Sequence, residues 1–371
     1  MAHQHDPAFW AGRRVLLTGH TGFKGSWLCL WLTQMGAKVT GLSLPAEETS
    51  LFRQARIDAL VDHIEGDIRD LPTCVAAVER SDPEVVFHMA AQPLVRLSYD
   101  TPVETFATNV QGTVHVLEAC RRAKALRAIV CITSDKAYEN REWLWPYREN
   151  DPMGGHDPYS ASKGAAEIVI SAYRRSFFSA EGAAGLASVR AGNVIGGGDW
   201  AQDRLIPDIV RALIAGARPL IRNPHAIRPW QHVLEALGGY LMIAEALASG
   251  KSWAAEGWNF GPADDDTRPV DWIADRMTAA WGASGWDRPE TAANLHEAHN
   301  LRLDCAKARS VLGWRPTWRL DEALQRIVSW HQTVDRGDCA RATSLGQLSE
   351  YREKFQQFQS GPTIPIRQCM T

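Results

Sequence analysis

The 371-residue sequence predicts an α/β protein: a doubly wound parallel sheet with a smaller C-terminal α/β lobe. Three observations carry that expectation. Short apolar runs alternate with stretches of helical spacing through the first 190 residues. Those runs are continuously apolar, as strands buried on both faces must be. The first of them opens through a glycine-rich turn into a helix.

Taken in order, Val15-Leu16-Leu17 reads as the first strand, and Ser26 to Met35 has apolar positions at helical spacing. Between them Gly19, Gly22 and Gly25 form a G-x-x-G-x-x-G turn. Their missing side chains let the backbone approach a dinucleotide pyrophosphate at a helix N-terminus. Thr21, Phe23 and Lys24 lie inside that turn and join it as cofactor candidates. Lys38 to Leu44 is the second strand. It ends in Ser43, where an acidic side chain commonly grips the cofactor ribose, and Glu47 and Glu48 follow in a polar loop, so NAD and NADP are not separated there. The segment 61–68 is a third short strand; its Asp67, followed by Ile68, is either an adenine contact or a solvated loop carboxylate.

Pro83 to His88 is the fourth strand, opening into Ala90, Ala91 and Gln92, where small side chains leave room for the cofactor. Asn109 opens a helix running to about Arg122, and 128–134 is the fifth strand, ending in Ser134 with Asp135 and Lys136 behind it. Ligands of such sheets gather at these carboxyl ends. A surface loop is expected over 140–156. Asp157 and Pro158 then give an N-cap and first helical position, so Tyr159 falls in the first turn and Lys163, four residues on, shares its face. The sixth strand is expected to run from Ser188 to Asn193 before a glycine run suited to a diphosphate, with a plain loop as the alternative. A strand returning to the sheet is expected at 258–262. Beyond Asp335 no pattern is evident.

Composition narrows the function classes. With 40 Lys and Arg against 43 Asp and Glu, the formal net charge is -3 and gives no field for nucleic acid or an anionic membrane. The 7 cysteines show no metal-ligand cadence; they read as buried thiols in a reducing compartment, and no metal site is expected. No apolar run reaches membrane-spanning length, and no leader-like basic and apolar stretch opens the chain, so a cytoplasmic protein without membrane partners is expected.

With these motifs in this order the chain resembles the extended short-chain dehydrogenase/reductases, in the branch acting on nucleotide sugars. The resemblance spans about 9–330. Thr18-Gly-His-Thr-Gly-Phe-Lys-Gly-Ser-Trp-Leu28, His88-Met-Ala-Ala-Gln-Pro-Leu-Val95 and Thr133-Ser-Asp-Lys-Ala-Tyr-Glu-Asn140 are most similar to the CDP-glucose 4,6-dehydratases, which carry a lysine at the position of Lys136 where dTDP-glucose and GDP-mannose dehydratases usually carry an acid. The resemblance implies a Rossmann-type NAD-binding domain over 1–190, a nucleotide-sugar lobe over 191–335 with segments returning to the first domain, and an unassigned 336–371. It also implies NAD kept through a whole cycle, a homodimer built on helices near 103–123 and 159–178, and a place in deoxysugar and polysaccharide precursor synthesis.

The implied reaction oxidises C4 of the glucosyl unit, eliminates water across C5 and C6, and returns the hydride to C6. Tyr159 would be the base at the C4 hydroxyl, its phenol made more acidic by the Lys163 ammonium and the nicotinamide. Lys163 would also bind the nicotinamide ribose, and Ser134 the C4 oxygen. By resemblance Lys136 is the base at C5, acting in its neutral form, and Asp135 the acid at C6, protonated until it donates. Asn109 joins the cofactor residues, and His88, Gln92, Asn193, Arg204 and Arg228 the substrate residues, the two arginines on phosphate. Alternatives are another nucleotide-sugar dehydratase, a 4-epimerase, or a dinucleotide sensor without turnover.

Overall fold

The computed structural model describes residues 5–289 and 301–359. Among these, β1 (Arg14–Thr18), β2 (Lys38–Ser43), β3 (Asp62–Glu65), β4 (Val85–His88), β5 (Ala128–Ile132) and β6 (Gly185–Ala191) precede a short β7 (Asn193–Ile195) and β8 (Ile227–His232). Then come β9 (Gly257–Phe260) and β10 (Thr267–Pro269). Seven of them form one parallel sheet in the order β3-β2-β1-β4-β5-β6-β9. The order reverses between β1 and β4, which opens a crevice at their carboxyl ends.

Period-two alternation sends side chains to two cores. Val15, Leu17, Phe87, Val130 and Val189 meet the helices Phe23–Gln34 and Val233–Ala248. Leu16, Val86, Ile129 and Leu186 meet the helices Leu71–Ser81, Gly112–Cys120 and Pro158–Phe177 on the other face. A third core, around Ile209, Trp230, Ile273 and Ile327, builds the smaller lobe beside a three-stranded sheet ordered β10-β8-β7.

Four expectations change. The sixth strand stops at Ala191; at Gly192, where a Cβ would press 2.5 Å from Pro229 Cγ, the chain leaves the main sheet, and Asn193 begins β7, paired with Trp230 of β8. The helix before β5 is preceded by a π-helical turn, Ala107–Gln111. The loop over 140–156 is anchored rather than superficial, since Tyr147 is fully buried and stacks on Tyr138 with ring centres 5.3 Å apart. The patternless tail contains the helix Ala340–Gln359, which buries Leu348, Tyr351 and Phe355 and donates the Tyr351 hydroxyl to Glu235 at 3.1 Å. Cys29, Cys74, Cys120, Cys131 and Cys305 are buried free thiols, Cys339 is exposed, and Cys369 lies outside the described residues.

Candidate active site

The glycine turn begins where β1 ends. Gly19 has φ +76, and a Cβ there would stand 2.7 Å from Ala90 Cα, so the first turn closes only with glycine. A Cβ on Gly25 would collide with the Gly19 carbonyl oxygen. Gly22 is the N-cap of the helix Phe23–Gln34 and makes no side-chain cap, which leaves the first-turn N–H groups to an anion. Beneath the turn the Thr21 hydroxyl meets Ser43 Oγ at 2.7 Å and donates to Leu44 O at 3.1 Å. The ribose-facing strand end thus carries a pair of neutral hydroxyls.

The carboxyl end of β5 holds the reactive group. Ser134 caps a single 3-10 turn, accepting the Lys136 N–H at 3.2 Å and donating to Asp135 Oδ1 at 3.0 Å. Asp135 is buried, and its Oδ2 has no hydrogen-bond partner. A Cβ on Gly192 would come within 3.2 Å of that oxygen, so the strand break also makes room for the carboxylate. Burial raises the Asp135 pKa against the opposing pull of Lys136, the Ser134 hydrogen bond and Arg228. The shift is in the direction of the protonated state an acid needs.

Tyr159 and Lys163 stand one turn apart on the helix Pro158–Phe177, both buried, with the Asp157 carboxylate capping the helix through Ser160 N at 2.9 Å. The Tyr159 amide donates to Ser98 Oγ at 3.1 Å, and Ser134 lies close enough to its phenol to favour the ionised form. Here the expected electrostatics are corrected. Burial pushes the Tyr159 pKa up to about 12, with Ser134 as the main opposing influence. Burial likewise lowers Lys163 to about 8. Desolvation outweighs the neighbouring amine, so a phenolate requires a further positive charge at the site.

Lys24 also enters this cluster from the glycine-turn helix. Burial brings its pKa down to about 7, helped by the positive charges of Lys163 and Arg204 and opposed by Asp135. Sequence position had placed it with the cofactor residues alone; its proximity to Asp135 exists only once the sheet brings the carboxyl ends of β1 and β5 to one edge.

Several candidates serve the scaffold instead. His88 is buried with both ring nitrogens engaged, Nδ1 with Thr18 Oγ1 at 2.8 Å and Nε2 with Thr113 Oγ1 at 3.0 Å, so it offers no polar atom to a substrate. Asn109 donates to Gln92 O at 3.1 Å and Ser162 Oγ at 2.9 Å and accepts from Gln92 N at 2.9 Å. It fixes the loop after β4 to the helix of Tyr159. The Gln92 side-chain amide bonds to Leu94 in its own loop and to Thr105 on the helix Pro102–Phe106. Asp67 gives its carboxylate to Arg69, whose Nε lies 2.8 Å away, and that pairing holds its pKa down. Ile68 points under Gly112 into the second core. In these cases a short-range or core partner takes the group that residue type alone assigned to a ligand. Ala90 and Ala91 remain half-buried beside the glycine turn.

On the other side of the cleft, Arg204 is the N-cap residue of the helix Leu205–Ile214 and pairs with Asp199 at 3.2 Å. Arg228, on β8, is buried close enough to influence Asp135. Asn193 is half-buried at the start of β7. Among the described residues no group of histidine, cysteine and acidic side chains could hold a metal ion, and no helix is long and apolar enough to cross a membrane.

Comparison with known proteins places this arrangement among relatives. The family described as GDP-mannose 4,6 dehydratase matches residues 16–327. The chain is 54% identical over 351 residues to a CDP-glucose 4,6-dehydratase of Salmonella typhimurium, covering 93% of this chain and 98% of that protein. The solved structure of DesIV, a dTDP-glucose 4,6-dehydratase from Streptomyces venezuelae with NAD and TYD bound, superposes with a TM-score of 0.74 at 24% identity, over 86% of this chain and 97% of that one. MoeE5 in complex with UDP-glucuronic acid and NAD is similar with a TM-score of 0.72 at 25% identity, over 86% and 99%.

Proposed function

The chain belongs to the GDP-mannose 4,6 dehydratase family, and from that premise we propose that it is an NAD-dependent CDP-glucose 4,6-dehydratase, a hydro-lyase converting CDP-D-glucose to CDP-4-keto-6-deoxy-D-glucose and water. The observation that carries the reading is Asp135: a buried carboxyl beside Ser134 and Tyr159 with one oxygen held by Ser134 and the other without a hydrogen-bond partner, and with Lys136 next in sequence. Dehydration needs an acid at C6 and a base at C5; epimerisation at C4 needs neither. The cytidine choice rests on the 54% identity across nearly the whole chain.

The glycine turn fits the cofactor, because Gly19 and Gly25 exclude side chains from the surface that the bare first-turn N–H groups line. Bound there, NAD supplies the acceptor for the C4 hydride, the donor that returns it to C6, and the positive charge that Tyr159 lacks in the chain alone. Tyr159 takes the C4 hydroxyl proton while Ser134 holds that oxygen, and Lys163 orients the nicotinamide ribose. The resulting C4 ketone acidifies C5. Lys136 removes the C5 proton as Asp135 protonates the C6 hydroxyl, which leaves as water; a proton returned to C5 completes the product. Arg204 and Arg228 hold the diphosphate across the cleft.

The same reading includes a cytoplasmic enzyme supplying deoxysugars for surface polysaccharide such as lipopolysaccharide. It includes a homodimer through the face where Val103 (76% exposed), Phe106, Ile168 (62%) and Phe177 leave large apolar side chains in solvent. The decisive experiment is turnover with NAD on CDP-, dTDP-, GDP- and UDP-glucose, read as the alkali-absorbing 4-keto-6-deoxy product, with light scattering for the dimer. A 4-epimer as product, or preferential turnover of another nucleotide, would overturn the assignment.

A further inference from the structure

We propose that Glu167 is a positioning residue of this reaction: it fastens the helix bearing Tyr159 and Lys163 to the strand end bearing Ser134, and sets a buried carboxylate one turn behind Lys163 on the same helix face. The inference rests on the dehydratase reading above and adds a residue to it.

Tyr159, Lys163 and Glu167 follow one another at four-residue spacing, so they line one face of the helix Pro158–Phe177. That face packs on β5 and β6. Glu167 is 4% exposed, and its two oxygens accept four hydrogen bonds. Oε1 accepts from Thr133 Oγ1 and from Arg190 Nε at 2.9 Å. Oε2 accepts from Arg190 Nη2 at 2.8 Å and Ser188 Oγ at 2.7 Å.

Thr133 immediately precedes Ser134, so the Thr133 bond sets how far the end of β5 stands from the helix. Arg190 continues the frame, donating to the Tyr138 hydroxyl at 2.7 Å and to Glu149 O at 3.0 Å. Those contacts hold Tyr138, just before the 140–156 loop, and the backbone at Glu149 within it. The frame therefore joins the two elements that must bring a phenol and a serine hydroxyl to one substrate oxygen, and a displacement of about 1 Å there can cost on the order of 100-fold in rate.

The pair is charged although buried. Burial opposes ionisation of Glu167, but the Arg190 guanidinium and the hydrogen bonds from Arg190, Thr133 and Ser188 outweigh it and hold the carboxyl below its usual range. Against the burial that lowers Lys163, Glu167 is the largest opposing influence. Other groups face the amine: Cys131 from β5, His88 from β4, and Lys24 from the glycine-turn helix. Of these groups, Glu167 carries the negative charge at neutral pH. A buried ammonium left without it would shed its proton more readily.

The test compares Glu167→Gln with Ser188→Ala in the full chain with NAD and CDP-glucose. Ser188→Ala removes one hydrogen bond from the same carboxylate and keeps its charge, and Cys131, His88 and Lys24 are common to both variants. In Glu167→Gln the alkaline limb of the kcat profile is expected to move at least about half a pH unit lower, with kcat reduced more than KM is changed. In Ser188→Ala the limb stays in place. An unmoved limb in Glu167→Gln, or an equal movement in Ser188→Ala, overturns the proposal. Should Glu167→Gln fail to fold because Arg190 is left buried and unpaired, Glu167→Gln with Arg190→Gln removes both charges and must show the same movement. A parent enzyme inactive on CDP-glucose would count against the dehydratase reading; an active parent with an unmoved limb counts only against Glu167.

Discussion

Each reactive side chain is set by what surrounds it more than by its type. Asp135 and Asp67 both follow strands at the ligand edge of the sheet. Asp67 meets a guanidinium two residues away and has its pKa lowered, whereas Asp135 is sealed in with one oxygen unpaired and has its pKa raised. That contrast separates a loop anchor from an acid. For Lys136 the discriminating prediction is isotopic. Lys136→Met should still oxidise C4, yet lose C5 exchange by about 100-fold or more when incubated with CDP-glucose in deuterated water. Deuterium appearing at C5 at the parental rate would remove Lys136 from the role of base. Tyr159, Lys163 and Ser134 were legible from motif and spacing. The scaffold duties of His88 and Asn109 were not, because their partners lie 17 to 70 residues away in sequence.

At the scale of elements, the helix Pro158–Phe177 is the piece on which the site depends. Its start is written locally: Asp157 accepts Ser160 N at 2.9 Å and Ser160 Oγ at 2.6 Å, and Pro158 needs no N–H partner. Asp157→Ala should cost about 1 kcal/mol in urea unfolding, and Asp157→Asn markedly less. Equal losses in the two variants would mean that the cap contributes nothing particular. The end of β6 shows the opposite case. The run from Ser188 suggested a strand reaching Asn193, but the main sheet keeps it only to Ala191, and beyond Gly192, packed against Pro229 37 residues on, Asn193 joins a second sheet. The tail helix Ala340–Gln359 did carry a signal, Leu348, Tyr351 and Phe355 at helical spacing. Polar residues all around that sparse stripe masked it, and the contact with Glu235 makes sense of it only in the folded chain.

For the molecule as a whole, the smaller lobe is closed over its core by aromatic and histidine side chains, among them His331, which packs at right angles to Trp200 with ring centres 5.0 Å apart and has neither ring nitrogen hydrogen-bonded. Burial lowers its pKa from 6.5 to about 3. The unfolded chain thus binds this proton as pH falls below 6.5 while the folded chain does not, so the stability it contributes at neutral pH is lost progressively toward pH 3. His331→Leu should remove that dependence: between pH 7 and 5 the free energy of unfolding of the variant should improve on the parent's by about 2 kcal/mol. Parallel curves for the two proteins would show that His331 does not titrate in this way. The sequence by itself determined the parallel sheet, the glycine turn, and a tyrosine and lysine on one helical face, because period-two burial, absent Cβ atoms and four-residue spacing are local properties of the chain. Only the tertiary structure decided which carboxyl is sealed from water, which histidine is a strut, and which glutamate ties helix to strand, since desolvation and buried pairing arise when distant segments close on one another.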